Sequence, residues 1–451
     1  MELGFETVGN ATVVCHDGGP VLVTDPWLEG PAYFGSWALS HHIPEEQLQA
    51  IEACSNVWIS HGHPDHLSFD SLLRLRGKHI FVSDHVGRRI ADFLTECGFQ
   101  TTIMRDRQWV EVSPRIHVQS LAHYNQDSIL LIDIDGTLII DMNDTPSTVW
   151  QGYIKRMAKR YQRVVLLRWS GYGDAESNFF DESGRQIMPQ GAMRLPIGES
   201  ISTSMRHFGA NLALPFSCLH RYQRADSIWA NDLIANLDEY SSGFDPRVGD
   251  LLPAFVSYDL RRDEYSPLPR SPVLEETLSP LVFGDDWSEP LSTQDAVALR
   301  AYFARRPLIG ERLDFVRFLV GGEEHVIRWS AREQEGITFE VPRGSLMSAV
   351  RFAVFDDLFI GNFMKTTLHG RVEAAGIYPA VNIYLAKWAD NGGAESRSEV
   401  RAYLKQYFRR APVPYLFGRL DDRTKYAVKA HVHPNTTAYD FLRRLRTTVR
   451  A

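Results

Sequence analysis

The chain has 451 residues, 44% of them hydrophobic and 23% charged, and carries a formal net charge of −8, a balance that fits a soluble globular protein of roughly two or three domains. The acidic surplus leaves no basic footprint for nucleic acid and disfavours an anionic membrane surface, and no apolar run is long enough for a membrane span. The start, Met1-Glu2-Leu3-Gly4-Phe5-Glu6, lacks the features of a secretory signal, and four scattered cysteines (Cys15, Cys54, Cys97, Cys218) suggest no disulfide framework, so a cytoplasmic location is expected.

Ala11 to Cys15 and Val21 to Thr24 read as a hairpin around Asp17-Gly18-Gly19-Pro20. Asn56-Val57-Trp58-Ile59-Ser60 reads as the end of a buried strand, and Ser68 to Arg76 has helical spacing at Phe69, Leu72, Leu73 and Leu75. Between them lies His61-Gly62-His63-Pro64-Asp65-His66, three imidazoles and a carboxylate in six residues. A loop between a rigid strand and a rigid helix lets such side chains converge. His61 and His63, two apart, point the same way in extended backbone and can grip one ion; Asp65 and His66, past a turn, can face a second. Imidazole and carboxylate suit zinc, iron or manganese. Two ions a few ångströms apart share a water and lower its pKa, giving hydroxide at neutral pH.

Ile80-Phe81-Val82 continues as a strand, and Asp84 to Cys97 as a helix that Gly98 stops. Ile116 to Gln119 is strand-like. Ile129 to Ile134 pairs with Thr137 to Asp141 across an Asp135-Gly136 turn and delivers Asn143-Asp144-Thr145. Pro146 to Tyr161 reads as a helix, Val164 to Leu167 as a strand, and Trp169 to Glu176 as a substrate-contacting loop or an ordinary turn. Arg194 to Ser204, rich in Ser and Thr, reads as a mobile lid or plain surface. Leu212 to Phe216 is a strand, with Cys218 and His220 behind it. The organisation expected is residues 1–245 as a metal-binding domain and 246–300 as a linker or wrapping segment. Residues 301–451 then form a small α+β domain with a helical tail. In that last part Leu313 to Val320 and His325 to Trp329 pair around Gly321-Gly322, Gly336 to Val341 is a strand, and Leu346 to Phe352 is a helix. Leu404 to Arg410 and Tyr439 to Arg450 read as helices basic on one face. His431-Val432-His433 lacks the following Asp-His and reads as surface.

His-x-His-x-Asp-His after a strand resembles the signature of the metallo-β-lactamase superfamily. The resemblance implies an α/β protein with an αββα sandwich, here with a C-terminal α+β extension. It implies His123 as the third histidine of the first ion, Asp144 as the carboxylate bridging both ions, with Asn143 in place of the usual Gly, and His220 as the last ligand. Asp25-Pro26-Trp27-Leu28-Glu29-Gly30-Pro31-Ala32, Pro215-Phe216 and Phe355-Asp356-Asp357-Leu358-Phe359-Ile360-Gly361 are similar to segments of the catalytic, non-Rieske half of the CMP-N-acetylneuraminate hydroxylase family. That family's Rieske domain needs paired Cys-x-His and Cys-x-x-His, which these cysteines do not form.

The expectation is therefore a hydrolase with two divalent ions, zinc first and iron as the alternative. It would act through a metal-bound hydroxide on a small-molecule ester, lactone, amide or phosphodiester, with Asp65 orienting the nucleophile. The alternative is a diiron monooxygenase that receives electrons from a separate redox partner. A non-catalytic binding module is a third reading, against which the full set of ligand types argues. No nucleic acid or membrane partner is expected.

Overall fold

The structure is a computed structural model that describes residues 1–146, 148–169, 177–187, 196–370, 377 and 381–431. The first sheet runs, in spatial order, Glu264–Pro267, Val256–Asp259, Leu3–Gly9, Thr12–Asp17, Pro20–Thr24, Asn56–Ile59, His79–Ser83 and Gln100–Met104. The second runs Asp250–Leu251, Leu212–Phe216, Arg163–Trp169, Thr137–Asp141, Ser128–Ile134, Ile116–Ala122 and Val110–Ser113.

Period-two alternation of side chains decides how these sheets stack. Val13, Cys15, Leu22, Trp58 and Phe81 of the first sheet share one core with Leu130, Ile132, Ile139, Val165, Leu167 and Leu214 of the second. The intervening residues Val14, Val23, Val57, Ile59, Ile80 and Val82 face outward and pack under Ile51, Leu72, Ala91 and Leu94. Those four belong to the helices Glu45–Ala53, Phe69–Arg74 and Arg89–Glu96. On the other side Leu131, Leu138, Ile140, Val164 and Leu166 share a core with Ile154, Met157, Ile201 and Met205, from the helices Gln151–Ala158 and Ile197–Phe208. Helix, sheet, sheet, helix is the αββα sandwich. Both faces of both sheets are covered, which is why their central strands read as nearly continuous apolar runs.

The segment 246–300, expected to link or wrap, contributes Asp250–Leu251, Val256–Asp259 and Glu264–Pro267 to the sandwich sheets. The α+β extension has its own sheet, in the order Phe179–Phe180, Lys365–His369, Gly336–Glu340, Phe315–Val320 and Glu323–Arg328. Phe179–Phe180 comes from the sandwich half and pairs in parallel with Thr366–Thr367. The outer core of the second sheet runs on without a break into Phe318, Phe339, Phe355 and Phe359 of this extension.

Three local expectations differ. The helix expected over 84–97 begins at Arg89, because Gly87 and Arg88 have φ of +92° and +53° and break it. The helix expected over 146–161 spans only Gln151–Ala158; the Trp150 indole N–H donates to Ala122 O and holds the preceding turn against the sheet. The Ser/Thr-rich stretch is no loop from Ile197 onward. The hydroxyls of Ser202, Thr203 and Ser204 donate back to Gly198 O, Glu199 O and Ser200 O, which lets them sit within the helix Ile197–Phe208. Residues 170–176 of the glycine-aromatic loop and the tail from residue 432 on lie outside the described residues.

Candidate metal centre

The His-rich loop starts where strand Asn56–Ile59 ends. Ser60 N–H donates to Asp25 Oδ1 at 2.7 Å, and Asp25 N–H donates to Trp58 O at 2.9 Å, so the two strand ends are tied together. Leu67 N–H bonds His63 O at 2.7 Å and turns the chain into the next helix, which Ser68 caps. The Asp135-Gly136 turn has φ of +47° and +86°, the type I′ signature, and fixes Leu130 opposite Asp141. Two residues later Asn143 takes φ +34°, a conformation that Asn tolerates and that substitutes here for glycine. Its Oδ1 accepts from Asp144 N–H at 2.6 Å and its Nδ2 donates to Ser128 O at 2.8 Å, which sets Asp144 on the rim.

Ligand atoms of His61, His63 and Asp144 lie within 4.8 Å of one another. His61 Nε2 is 2.9 Å from His63 Nδ1, and His66 Nε2 is 3.5 Å from Asp65 Oδ2 and 3.4 Å from Asp144 Oδ2. The opposite nitrogen of each ring is held by the protein. Ser60 Oγ is 2.8 Å from His61 Nδ1, Asp25 Oδ2 is 2.9 Å from His66 Nδ1, and Asp356 Oδ2 is 3.1 Å from His63 Nε2. His123 Nδ1 likewise meets Asn125 Oδ1. His123 stands outside the 4.8 Å group. Its backbone N–H bonds Asp127 O at 2.8 Å. His220 stacks on Trp37 with ring centroids 3.4 Å apart and planes 3° apart, and among the described residues neither of its nitrogens has a hydrogen-bond partner.

Electrostatics follow from burial and neighbours. Burial, with His66 and His63 adding to it, holds His61 well below the usual histidine range. Burial pushes His220 down to about 3, opposed by Asp65. Burial also works against charge on His66, but Asp65, Asp144 and Asp25 overcome it and raise that imidazole well above its ordinary value. Burial works against the Asp65 carboxylate too, and His66, the Tyr33 hydroxyl at 2.5 Å, His63 and Asn10 Nδ2 at 2.9 Å bring it below its ordinary value. This donor set fits a cation: neutral imidazole nitrogens face inward, and three carboxylates create a field that one imidazolium satisfies only in part. Asp144, with a side chain 32% exposed, is the open edge of the group, beside a partly buried His63 and a buried His61.

Asn10, Asp25, Tyr33, Asn125, Asp356 and Lys387, whose Nζ is 3.0 Å from His63 Nε2, also take part and are not among the ligands expected from the sequence. Asp25 and Asp356 stood inside segments already singled out by resemblance; the others carried no signal of their own. A cavity of about 580 Å³ beside His41 is lined by Tyr240, Phe255 and Arg270, among others, and by none of the seven candidate ligands. Among the described residues no helix is long and apolar enough to cross a membrane.

Over 156 residues, 32% of its length, the chain is 30% identical to the cytidine monophosphate-N-acetylneuraminic acid hydroxylase of Gorilla gorilla gorilla, a match covering 26% of that protein. It is 28% identical over 156 residues to the Asterias rubens hydroxylase, covering 24% of it. The match thus spans about a quarter of the length of these curated relatives. Among solved structures, it is similar to CmlA, a diiron β-hydroxylase from Streptomyces venezuelae. There the TM-score is 0.34 at 18% identity, over 48% of this chain and 45% of that one. It is also similar to the metallo-β-lactamase fold protein YhfI from Bacillus subtilis, with a TM-score of 0.34 at 10% identity over 57% and 99%. No family model matches.

Proposed function

We propose that His61, His63, Asp65, His66, His123, Asp144 and His220 hold two divalent metal ions, zinc or iron, and that the chain hydrolyses a small-molecule ester, lactone, amide or phosphodiester. The observation that supports this reading is the division of labour within the imidazoles. One nitrogen of each of His61, His63 and His66 is engaged by the protein while the other faces the carboxylates or a second ring. Such contacts orient the rings of His61 and His63 with one nitrogen inward, and a bound cation would displace the extra proton from His66.

Two adjoining ions held by these residues would supply a water activated at neutral pH and an electrophile for the substrate's oxygen. The chain's own groups do the rest. Tyr33 and Asn10 hold the Asp65 carboxylate from both oxygens, so it is ionised and rigid, fit to orient the attacking water. Asp144 marks the side from which substrate arrives. The buried walls keep bulk water away from the inner nitrogens and strengthen every charge interaction there.

A second reading, hydroxylation at two irons with electrons from a separate partner, is favoured by the relatives' being hydroxylases. Metal analysis of protein purified without oxygen decides between the two. Zinc-loaded protein that turns over an ester or lactone panel without oxygen uptake supports hydrolysis. Two irons per chain with an oxygen-reactive reduced state replaces hydrolysis by hydroxylation.

A further inference from the structure

We propose that Asp356, braced by Lys387 and Asn382, is a positioning residue for His63, so that the C-terminal region completes the outer shell of the metal centre. The inference rests on the reading of the His61–His63–Asp144 cluster as a metal site. Asp356 lies 293 positions from His63 in the chain, yet its Oδ2 is 3.1 Å from His63 Nε2. It is 4% exposed and opens the short helix Asp356–Ile360. Its other oxygen accepts from Asn382 Nδ2 at 2.6 Å, and Lys387 Nζ stands 3.2 Å from Oδ2.

An imidazole nitrogen has one in-plane position to fill. A carboxylate can only accept, so its place opposite Nε2 puts the hydrogen there and leaves the Nδ1 lone pair directed at His61 Nε2. Lys387 Nζ is also 3.0 Å from His63 Nε2. Were the ammonium to donate into Nε2, the hydrogen would move to Nδ1 and block the inward face. Asp356 Oδ2 accepts from Nζ at 3.2 Å, and Asp127 Oδ1, 3.8 Å away, attracts the ammonium by charge alone, so both carboxylates draw it away from the ring nitrogen. Lys387 is 5% exposed and sits in a π-helix, Ile383–Asn391. A π-helix is rare and persists where tertiary contacts hold it, often at functional sites. This one presents Lys387 to the metal centre and Asp390 to Tyr302 Oη at 2.8 Å and to Arg306. The helix that carries Lys387 is thereby anchored through Asp390.

The test is a zinc titration of the full chain against a chromophoric chelator, joined to the visible spectrum of the cobalt-loaded protein. Asp356→Asn offers one acceptor where two are required, so it should weaken one of two sites by roughly 10- to 100-fold and shift the cobalt absorption. The second site and the far-ultraviolet circular dichroism should stay unchanged. Asp356→Glu should recover part of the loss, and Lys387→Met should weaken the same site. Native affinity at both sites in Asp356→Asn and Lys387→Met, beside loss of one site in His63→Ala, overturns the proposal. If Asp356→Asn fails to fold, Lys387→Met decides by the same readout. A native chain that takes up neither zinc nor cobalt overturns the metal-site reading itself, and the inference falls with it.

Discussion

His63 turns one nitrogen toward His61 and the other toward Asp356, so no other side chain can take its place without breaking two contacts. His63→Ala should therefore lose metal and activity together, measured as metal per chain and turnover on the same sample. A second residue-scale prediction concerns Asp106, whose Oδ1 accepts from Ala122 N–H at 2.7 Å while Arg410 Nη1 stands 3.8 Å from Oδ2. Burial pushes this carboxyl from the ordinary 3.8 up to about 6, with Ala122 N–H, Arg410 and Arg107 opposing and Asp84 adding. A raised carboxyl favours the protonated folded form. Its contribution is full below the unfolded value and is lost as pH rises through about 6. Asp106→Asn should then have a higher Tm than the native chain near pH 7, by about 2–3 kcal/mol of stability, and match it near pH 4. At this scale the His loop was legible because its ligands sit within six residues. Tyr33 was not, because a side chain that steadies a ligand needs only to arrive in space and leaves no local spacing behind; Asp25 and Asp356 stood in segments marked by resemblance but not as site residues.

Among elements, the hairpin of Ser128–Ile134 and Thr137–Asp141 carries the most consequence for the site. Its turn demands left-handed backbone at both central residues, and Gly136 at φ +86° is the one that a branched side chain tolerates least. Gly136→Val should cost about 1–2 kcal/mol in denaturant unfolding. A one-residue slip there would also turn Asp141 and the Asp144 rim to the wrong face, so metal retention should fall in step with stability. The Asp-Gly signal and its apolar flanks announced this hairpin. The Ser/Thr-rich helix Ile197–Phe208 announced nothing, since its composition fits a loop as well; back-bonding of three hydroxyls, a property of the folded turn, resolves it. The early break at Gly87-Arg88 was hidden for a similar reason, because helical spacing persists through residues whose backbone does not.

Across the whole molecule, Arg89 fastens the sandwich to the extension. From the first residue of helix Arg89–Glu96, its Nη1 donates to Ala353 O at 2.7 Å, Asp390 O at 3.1 Å and Asn391 Oδ1 at 3.0 Å, and its Nη2 donates to Phe352 O. Arg89→Ala would leave these acceptors without their charged donor, at a cost of about 3 kcal/mol. Amide hydrogen exchange should rise through residues 343–370 and 381–391 while the sandwich strands keep their protection. Equal loosening everywhere would count against this tie.

The parallel pairing of Phe179–Phe180 with Thr366–Thr367 has a consequence in time as well as in space. A ribosome releases the His-rich loop early, but the strand that flanks this small edge and the carboxylate that steadies His63 emerge only after residue 356. His63 and the strand Phe179–Phe180 must wait for residues 356–367 to be made before their late partners arrive. If His63 is a metal ligand steadied by Asp356, synthesis order would set when the centre matures, which would be complete only once residue 356 has left the ribosome.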